Sequence, residues 1–377
     1  LLEPDSSLIL NRNKWSYKVH SREIFFNSNE LNDEENIALL KETLKQHFDN
    51  LNLNYTNWQL SLSGGYDSRG NLCFLSKKDM GGNSLNTLSW GVQKSEEIFE
   101  TDASVAKDLA EEFGLKHSFL SIEQPQDKLE AILERFLKNG EGRIDHLGGY
   151  ADGFGIWKKL YENEIEGIIR GDEVFGSYNF ISDFHLKNFI GLSVYSDFDN
   201  LKDVPYLKSF DQTFPAKFNQ RSNETWAQWR DRLYQSHCVP IFLTALTDLK
   251  DLYTSQINPL ISRDIVNLIR QLPDHLRTDK KAFRIIVNEM SPKIRYASKS
   301  STSKISKLIR QEAMVEIILE ELNSPLSHEI FDEDFLNMVT AKLTIEKDEN
   351  ISSKRFLSRI KAIVPKNLKR KIIRRTF

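Results

Sequence analysis

The chain has 377 residues, 40% of them hydrophobic and 28% charged, and its 51 Lys and Arg against 54 Asp and Glu leave a formal net charge of −3. This balance describes a soluble globular protein of two domains with room for a sizeable core. Two cysteines, Cys73 and Cys238, lie far apart with no C-x-x-C pair, which excludes a disulfide framework or a zinc ribbon and fits a reducing cytoplasm.

No apolar run approaches the roughly 18 residues of a membrane span, and no signal-peptide pattern leads the chain, which opens on Leu1 and so reads as a fragment or a processed chain. Residues 1–30 alternate short apolar runs with turn residues, the pattern of lead-in strands and a linker. From Asp33 to Asn50, acids come first and apolar residues follow at helical spacing, which predicts a helix. Trp58 to Leu62 alternates like a buried strand; Gly64-Gly65 then permits a tight turn, and a helix starts near Asp67. Unpartnered backbone N–H groups at such a turn form a concave anion site, to which Ser63 and Ser68 add hydroxyls. Asp67 is the odd member, because a carboxylate beside phosphate needs a divalent cation between them, and Mg²⁺ is the usual ion. Ser63–Ser68 therefore reads as a metal-pyrophosphate site. The alternative phosphate signature, G-x-x-x-x-G-K-[ST], is excluded because the chain has no Gly-Lys pair.

Strands are predicted next at Ser84–Gly91, His117–Ile122 and Ile165–Arg170, with helices at Thr101–Gly114, Leu129–Lys138 and Gly149–Tyr161. This alternation predicts an α/β fold, a parallel sheet with helices on both faces, with ligands at the carboxyl ends of its strands. Arg170-Gly171-Asp172-Glu173-Val174-Phe175-Gly176-Ser177-Tyr178 follows one such end. An acid pair there is ordinarily a helix-start charge pair; if the first and fourth strands of the sheet are neighbours, Asp67 and Asp172 approach one Mg²⁺.

From about 179 to 223 the pattern is irregular. Helices follow at Trp226–Gln235, Pro240–Tyr253, Arg263–Gln271, Lys280–Met290, Lys304–Leu322 and Asp332–Glu346. The tail from Ser353 to Phe377 holds ten Lys or Arg and no Asp or Glu, a basic amphipathic segment suited to an acidic partner or a membrane surface, or to capping its own domain. The predicted division is 1–30 lead-in, 31–180 nucleotide-binding core, 181–345 mostly helical part and 346–377 basic tail.

Ser63-Gly64-Gly65-Tyr66-Asp67-Ser68 after a strand resembles the PP-loop of the ATP pyrophosphatases, and four stretches in order resemble the synthetase domain of the asparagine synthetase family, whose relatives include β-lactam synthetase and the lasso-peptide cyclases. The other three are the acid-Ala helix running from Asp102 to His117, the segment Asp172–Tyr178 with Ser177 in place of a glycine, and Asn258–Ser262 followed by Leu272-Pro273 and Lys280-Lys281. The resemblance implies an adenine nucleotide alpha hydrolase-like fold and an ATP- and Mg²⁺-dependent ligase. Such an enzyme activates a carboxylate as an acyl-adenylate, releases pyrophosphate and forms an amide with an amine. It further implies ATP and pyrophosphate on Leu62, Ser63, Gly64, Gly65, Asp67, Ser68 and Leu88, Mg²⁺ on Asp67 and Asp172, and Lys299, or Lys281, on the reacting phosphates. Residues 1–30 resemble the strands leading out of a glutaminase-like domain, which is then either a partner domain or subunit missing from this chain or one the protein never had.

Two departures bear on the substrate. The family places a proton-transferring Glu before the acid pair, where this chain has Ile169, and an alkyl group cannot move a proton. Arg69 and Arg170 stand where they can bind a carboxylate or phosphate of an unusual substrate, alongside Glu173, or can pair with nearby acids. Peptide macrocyclisation or tailoring and a nucleotide-binding scaffold are the alternative functions. Asp145-His146 reads as a capped loop, and Trp226 with Trp229, one helical turn apart, as core.

Overall fold

The computed structural model describes residues 2–78, 85–122, 125, 127–144, 146–150, 152–190, 216–302 and 309–343. Asp145, Ser84, most of the irregular stretch and the basic tail lie outside them.

A parallel sheet of five strands forms the centre, in the order β5-β4-β3-β6-β7. Its members are β3 (Trp58–Ser61), β4 (Asn86–Val92), β5 (His117–Ile122), β6 (Gly167–Ile169) and β7 (Ser255–Ile257). β3 sits in the middle with β4 on one side and β6 on the other, so that Leu60 is opposite both Thr87 and Ile169. The first and fourth strands of the predicted sheet are thus neighbours, and the glycine turn and the acid pair leave the sheet side by side.

Helices cover both faces. On one lie α1 (Asp33–Asn50), α2 (Tyr66–Leu75) and α3 (Asp102–Glu112), whose Leu44, Phe48, Leu72 and Val105 pack with Leu60 and Ile169. On the other, α4 (Leu129–Gly140) and α5 (Gly155–Glu162) bring Ile132, Phe136 and Trp157 against Leu88 and Ile168. Successive residues Ile168 and Ile169 point to opposite faces, as the pleat requires, and both are fully buried. The α1 start is fixed by a capping box in which Asn32 and Glu35 satisfy one another's backbone N–H groups.

After α6 (Asp183–Phe189) and α7 (Trp226–Leu233), the chain runs through a π-helical stretch at Tyr234–Leu243, which contains Pro240, into α8 (Thr244–Asp251). The two helices predicted at Trp226–Gln235 and Pro240–Tyr253 are therefore joined without a break, and proline's missing N–H is accommodated in the wider turns between them. β7 follows, unforeseen in the sequence, then α9 (Arg263–Ile269), α10 (Asp274–Arg277), α11 (Lys281–Met290), α12 (Glu312–Leu322), α13 (Pro325–Ile330) and α14 (Glu333–Thr340). Among the described residues no helix is long and apolar enough to cross a membrane.

Near the N-terminus, β1 (Ser6–Asn11) and β2 (Ser16–Ser21) form an antiparallel hairpin outside the main sheet. The cross-strand pairs Leu8 with Val19 and Leu10 with Tyr17 share one face, and all four are 45% exposed or more. Its base is tied to the body by Glu3–Lys217 at 3.0 Å and by the Asp5–Arg270 ion pair.

Candidate active site

The strand-to-helix turn after β3 is built by hydrogen bonds among its own members. Ser63 N–H donates to Ser68 Oγ at 3.0 Å, the two serine hydroxyls lie 3.0 Å apart, and Gly65 N–H donates to Ser63 Oγ at 3.3 Å. The Gly64 N–H donates to the Asp102 carboxylate at the start of α3; burial raises that group's pKa and this hydrogen bond opposes the rise. Gly65 caps α2 without a side-chain acceptor, so the cap residue leaves the N–H groups of the helix's first turn unserved.

Two glycines are required by close approach. A Cβ at Gly64 would lie 2.3 Å from Ala297 Cβ, and one at Gly171 would lie 2.8 Å from the Ser68 nitrogen. The chain after β6 thus presses directly on the N-terminus of α2. Asn71, fully buried on α2, donates to the Arg170 carbonyl at 2.7 Å, and Asn258 after β7 accepts from the Asp172 N–H at 3.4 Å. Together they hold the acid pair beside the turn.

Lys280 lies at the junction. Its ammonium is 2.9 and 2.8 Å from the two Asp67 carboxylate oxygens and 2.8 Å from Glu173 Oε1. Asp279 and Lys280 both adopt left-handed backbone angles, φ 56° and 53°, and this irregular turn before α11 aims Lys280 inward. Burial opposes the ammonium, yet the carboxylates of Glu173 and Asp67 hold its pKa above the usual lysine value. Burial pushes Glu173 up to about 7 against the pull of Lys280, and Asp67 is raised by burial, with Lys280 opposing and Asp172 adding to the rise. Three carboxylates thus share the space with two cations, the second being Arg170, whose Nε is 3.3 Å from Asp172 Oδ2. Tyr234, from the π-helical stretch, is kept neutral well above the ordinary tyrosine range by burial and then by the nearby Glu173.

The residues singled out in the sequence fall into three groups. Leu62, Ser63, Gly64, Gly65, Asp67, Ser68, Asp172 and Glu173 are brought together, and Leu62 N–H pairs with the Leu88 carbonyl at 2.8 Å. Arg170 belongs with Asp172. Arg69, by contrast, is 1% exposed and donates to the carbonyls of Ile294 at 2.8 Å and Arg295 at 2.6 Å, with Tyr296 stacked over it at 3.9 Å. It fastens residues 294–297 across the glycine turn, where Ala297 N–H donates to the Gly64 carbonyl at 3.1 Å. Lys299 lies further along that strap with its Nζ on the Phe99 carbonyl at 3.1 Å, and Lys281 is exposed. The sequence points to Lys299 and then Lys281, whereas it is Lys280 that faces the acids, because the left-handed turn decides which of the adjacent lysines is aimed inward.

Among the described residues no group of three or more His, Cys, Asp or Glu stands ready to hold a metal ion. Asp67 and Asp172 are a two-carboxylate set, which suits Mg²⁺ when phosphate oxygens complete its shell.

No family model matches the sequence, and no curated protein matches it. Among solved structures the chain is similar to the U34-tRNA thiolase NcsA from Methanococcus maripaludis, solved with its [4Fe-4S] cluster. The identity is 13%, over 88% of this chain and 91% of that one, at a TM-score of 0.34, which is a remote likeness.

Proposed function

We propose that this chain is an ATP- and Mg²⁺-dependent enzyme of the PP-loop type, similar to the asparagine synthetase family, that activates a carboxylate by adenylation and forms an amide. The observation that carries this is the placement of the Lys280 ammonium between Asp67, on the glycine turn, and Glu173, at the exit of β6. A cation already fixed where negative charge grows on a leaving pyrophosphate lowers the barrier without reorganisation. In the reaction, a substrate carboxylate oxygen attacks the α-phosphorus of ATP, the α–β phosphoanhydride bond breaks, and pyrophosphate leaves. An amine then displaces AMP from the acyl carbon and gives up its proton.

The first-turn N–H groups of α2 receive the pyrophosphate. Lys280 neutralises its charge, exchanging its carboxylate partners for phosphate oxygens. Asp67 and Asp172 are the groups that would hold Mg²⁺, which supplies charge neutralisation on the phosphates. Ile169 is fully buried in the sheet core, so the proton of the amine leaves by another route than in asparagine synthetases. That departure favours peptide cyclisation or tailoring as the second reading of the same chemistry.

ATP–pyrophosphate exchange with a panel of carboxylates tests the proposal. Exchange dependent on one class of acid is expected, and Lys280→Met is expected to lower it by roughly 10²–10³-fold, the scale of a preorganised charge at a developing anion. Absence of exchange with every acid, or full exchange in the Lys280→Met protein, would overturn it.

A further inference from the structure

Beside Lys280 lies a cavity of about 100 Å³, between the chain after β6, the end of α6 and the start of the π-helical stretch. Its apolar walls are Phe189, Ile190 and the ring of Tyr234. Phe189 is braced by Tyr178 and Phe180, with ring centroids 5.4 and 5.1 Å away, and Ile190 is fully buried. Four charged residues also line it: Glu173 and Lys280, paired at 2.8 Å, and Arg230 and Asp231, which are spent on one another and on the scaffold. Arg230 Nε and Nη2 donate to the Asp231 carboxylate at 2.6 and 3.0 Å, its Nη1 serves the carbonyls of Ser177 and Tyr178, and Asp231 also accepts from Arg277 Nε at 2.7 Å. The Lys280 ammonium at one end is the cation that faces carboxylates which phosphates can displace.

We infer that this cavity receives the non-reacting end of the acyl substrate, and that the substrate class is a short monocarboxylic acid with a compact apolar chain. This rests on the adenylation reading above. The charge distribution is the reason: a second carboxylate on the substrate would be buried against apolar walls, the Glu173 carboxylate and an already saturated Arg–Asp pair, with no described cation left to compensate it once Lys280 serves the phosphates and the reacting end. The size sets the length. An apolar cavity of about 150 Å³ takes a benzene ring, so about 100 Å³ corresponds to a tail of about four carbons. The carboxylate then lies at the Lys280 end, next to the turn that holds the phosphates.

The test is ATP–pyrophosphate exchange, with Mg·ATP affinity measured separately by calorimetry, using acetate, butyrate, valerate, isovalerate, octanoate, aspartate and glutamate. Butyrate, valerate and isovalerate are expected to support exchange at least tenfold better than acetate, octanoate or the two amino acids. Ile190→Phe, which fills the cavity, is expected to lower exchange with the preferred acid at least tenfold with Mg·ATP affinity unchanged. Phe189→Ala, at a position 43% exposed and so tolerant of truncation, is expected to shift the optimum toward longer chains. Exchange that is best with aspartate or glutamate, or a chain-length profile that neither variant alters, would overturn the inference and leave adenylation standing. No exchange with any acid would remove adenylation and the inference together.

Discussion

His117 shows how a side chain acquires a fixed protonation state from its neighbours. Thr87 Oγ1 donates to the Lys116 carbonyl at 3.1 Å and so accepts from His117 Nδ1–H at 2.9 Å, leaving Nε2 to accept from the Ser89 hydroxyl at 3.0 Å. The neutral ring suits this chain of bonds, and burial, helped by the positive charge of Lys107, lowers its pKa to about 4 from the usual 6.5. The unfolded chain binds the proton first, so this contribution to stability is complete above about pH 6.5, is lost as pH falls toward 4, and is level below that. Urea unfolding from pH 7 to pH 4 should show a decline, of which His117 accounts for up to about 3 kcal/mol. His117→Gln should flatten the curve in that window, and an unaltered slope would exclude the histidine as its source. At the same scale, Lys280 was legible in the sequence only as one of two adjacent lysines. Which of two neighbours turns inward depends on two left-handed residues, Asp279 and Lys280, neither of them a glycine that would have marked the turn.

Among the elements, the strap of residues 294–301 does what no single helix does. It meets the glycine turn through Ala297, the start of α3 through Lys299 and Ser301, and the end of β4 through Val92, whose N–H donates to the Ser301 carbonyl at 2.8 Å. Gly64→Ala should force it away, since the new Cβ would overlap Ala297 Cβ at 2.3 Å. We expect Mg·ATP affinity to fall at least tenfold and the melting temperature to drop. Ala297→Gly in the same protein should restore part of both, because it removes the nearest of the three Ala297 atoms that the new Cβ would meet. A Gly64→Ala protein with native affinity would show that the turn does not need the strap. The sequence marked the strap's position through Lys299 but not its role, because its contacts with the glycine turn, α3 and Val92 join residues more than 180 positions apart and no periodicity records them. β7 was missed for a related reason: three residues between helical patterns carry too little alternation to stand out.

At the scale of the whole molecule, the proposed function ties metal and nucleotide binding to stability. Asp67 and Asp172 are already compensated by Lys280 and Arg170, so Mg²⁺ alone meets no bare pair of carboxylates. On the proposed reading, phosphates that drew Lys280 away would expose Asp67, and it and Asp172 would then be the groups to hold Mg²⁺. Mg²⁺ by itself should therefore leave the thermal midpoint unchanged. Mg·ATP at one hundred times its dissociation constant should stabilise the fold by roughly 2.7 kcal/mol, and EDTA should remove most of that gain. A full shift with Mg²⁺ alone would mean that the carboxylates form a preformed metal site.

The amino-acid sequence by itself determined the alternation of strands and helices, the glycine turn with its Asp and Ser, and the acid pair after β6, because each is written within a dozen residues by spacing and backbone freedom. Tertiary structure alone decided that β3 and β6 are neighbours, that Lys280 rather than Lys281 or Lys299 meets the acids, that Arg69 is a buried clasp, and that an apolar cavity adjoins the ammonium. Each of these depends on where distant segments are brought in space by packing on the two faces of the sheet, and that information is shared among many residues instead of being held by any one stretch.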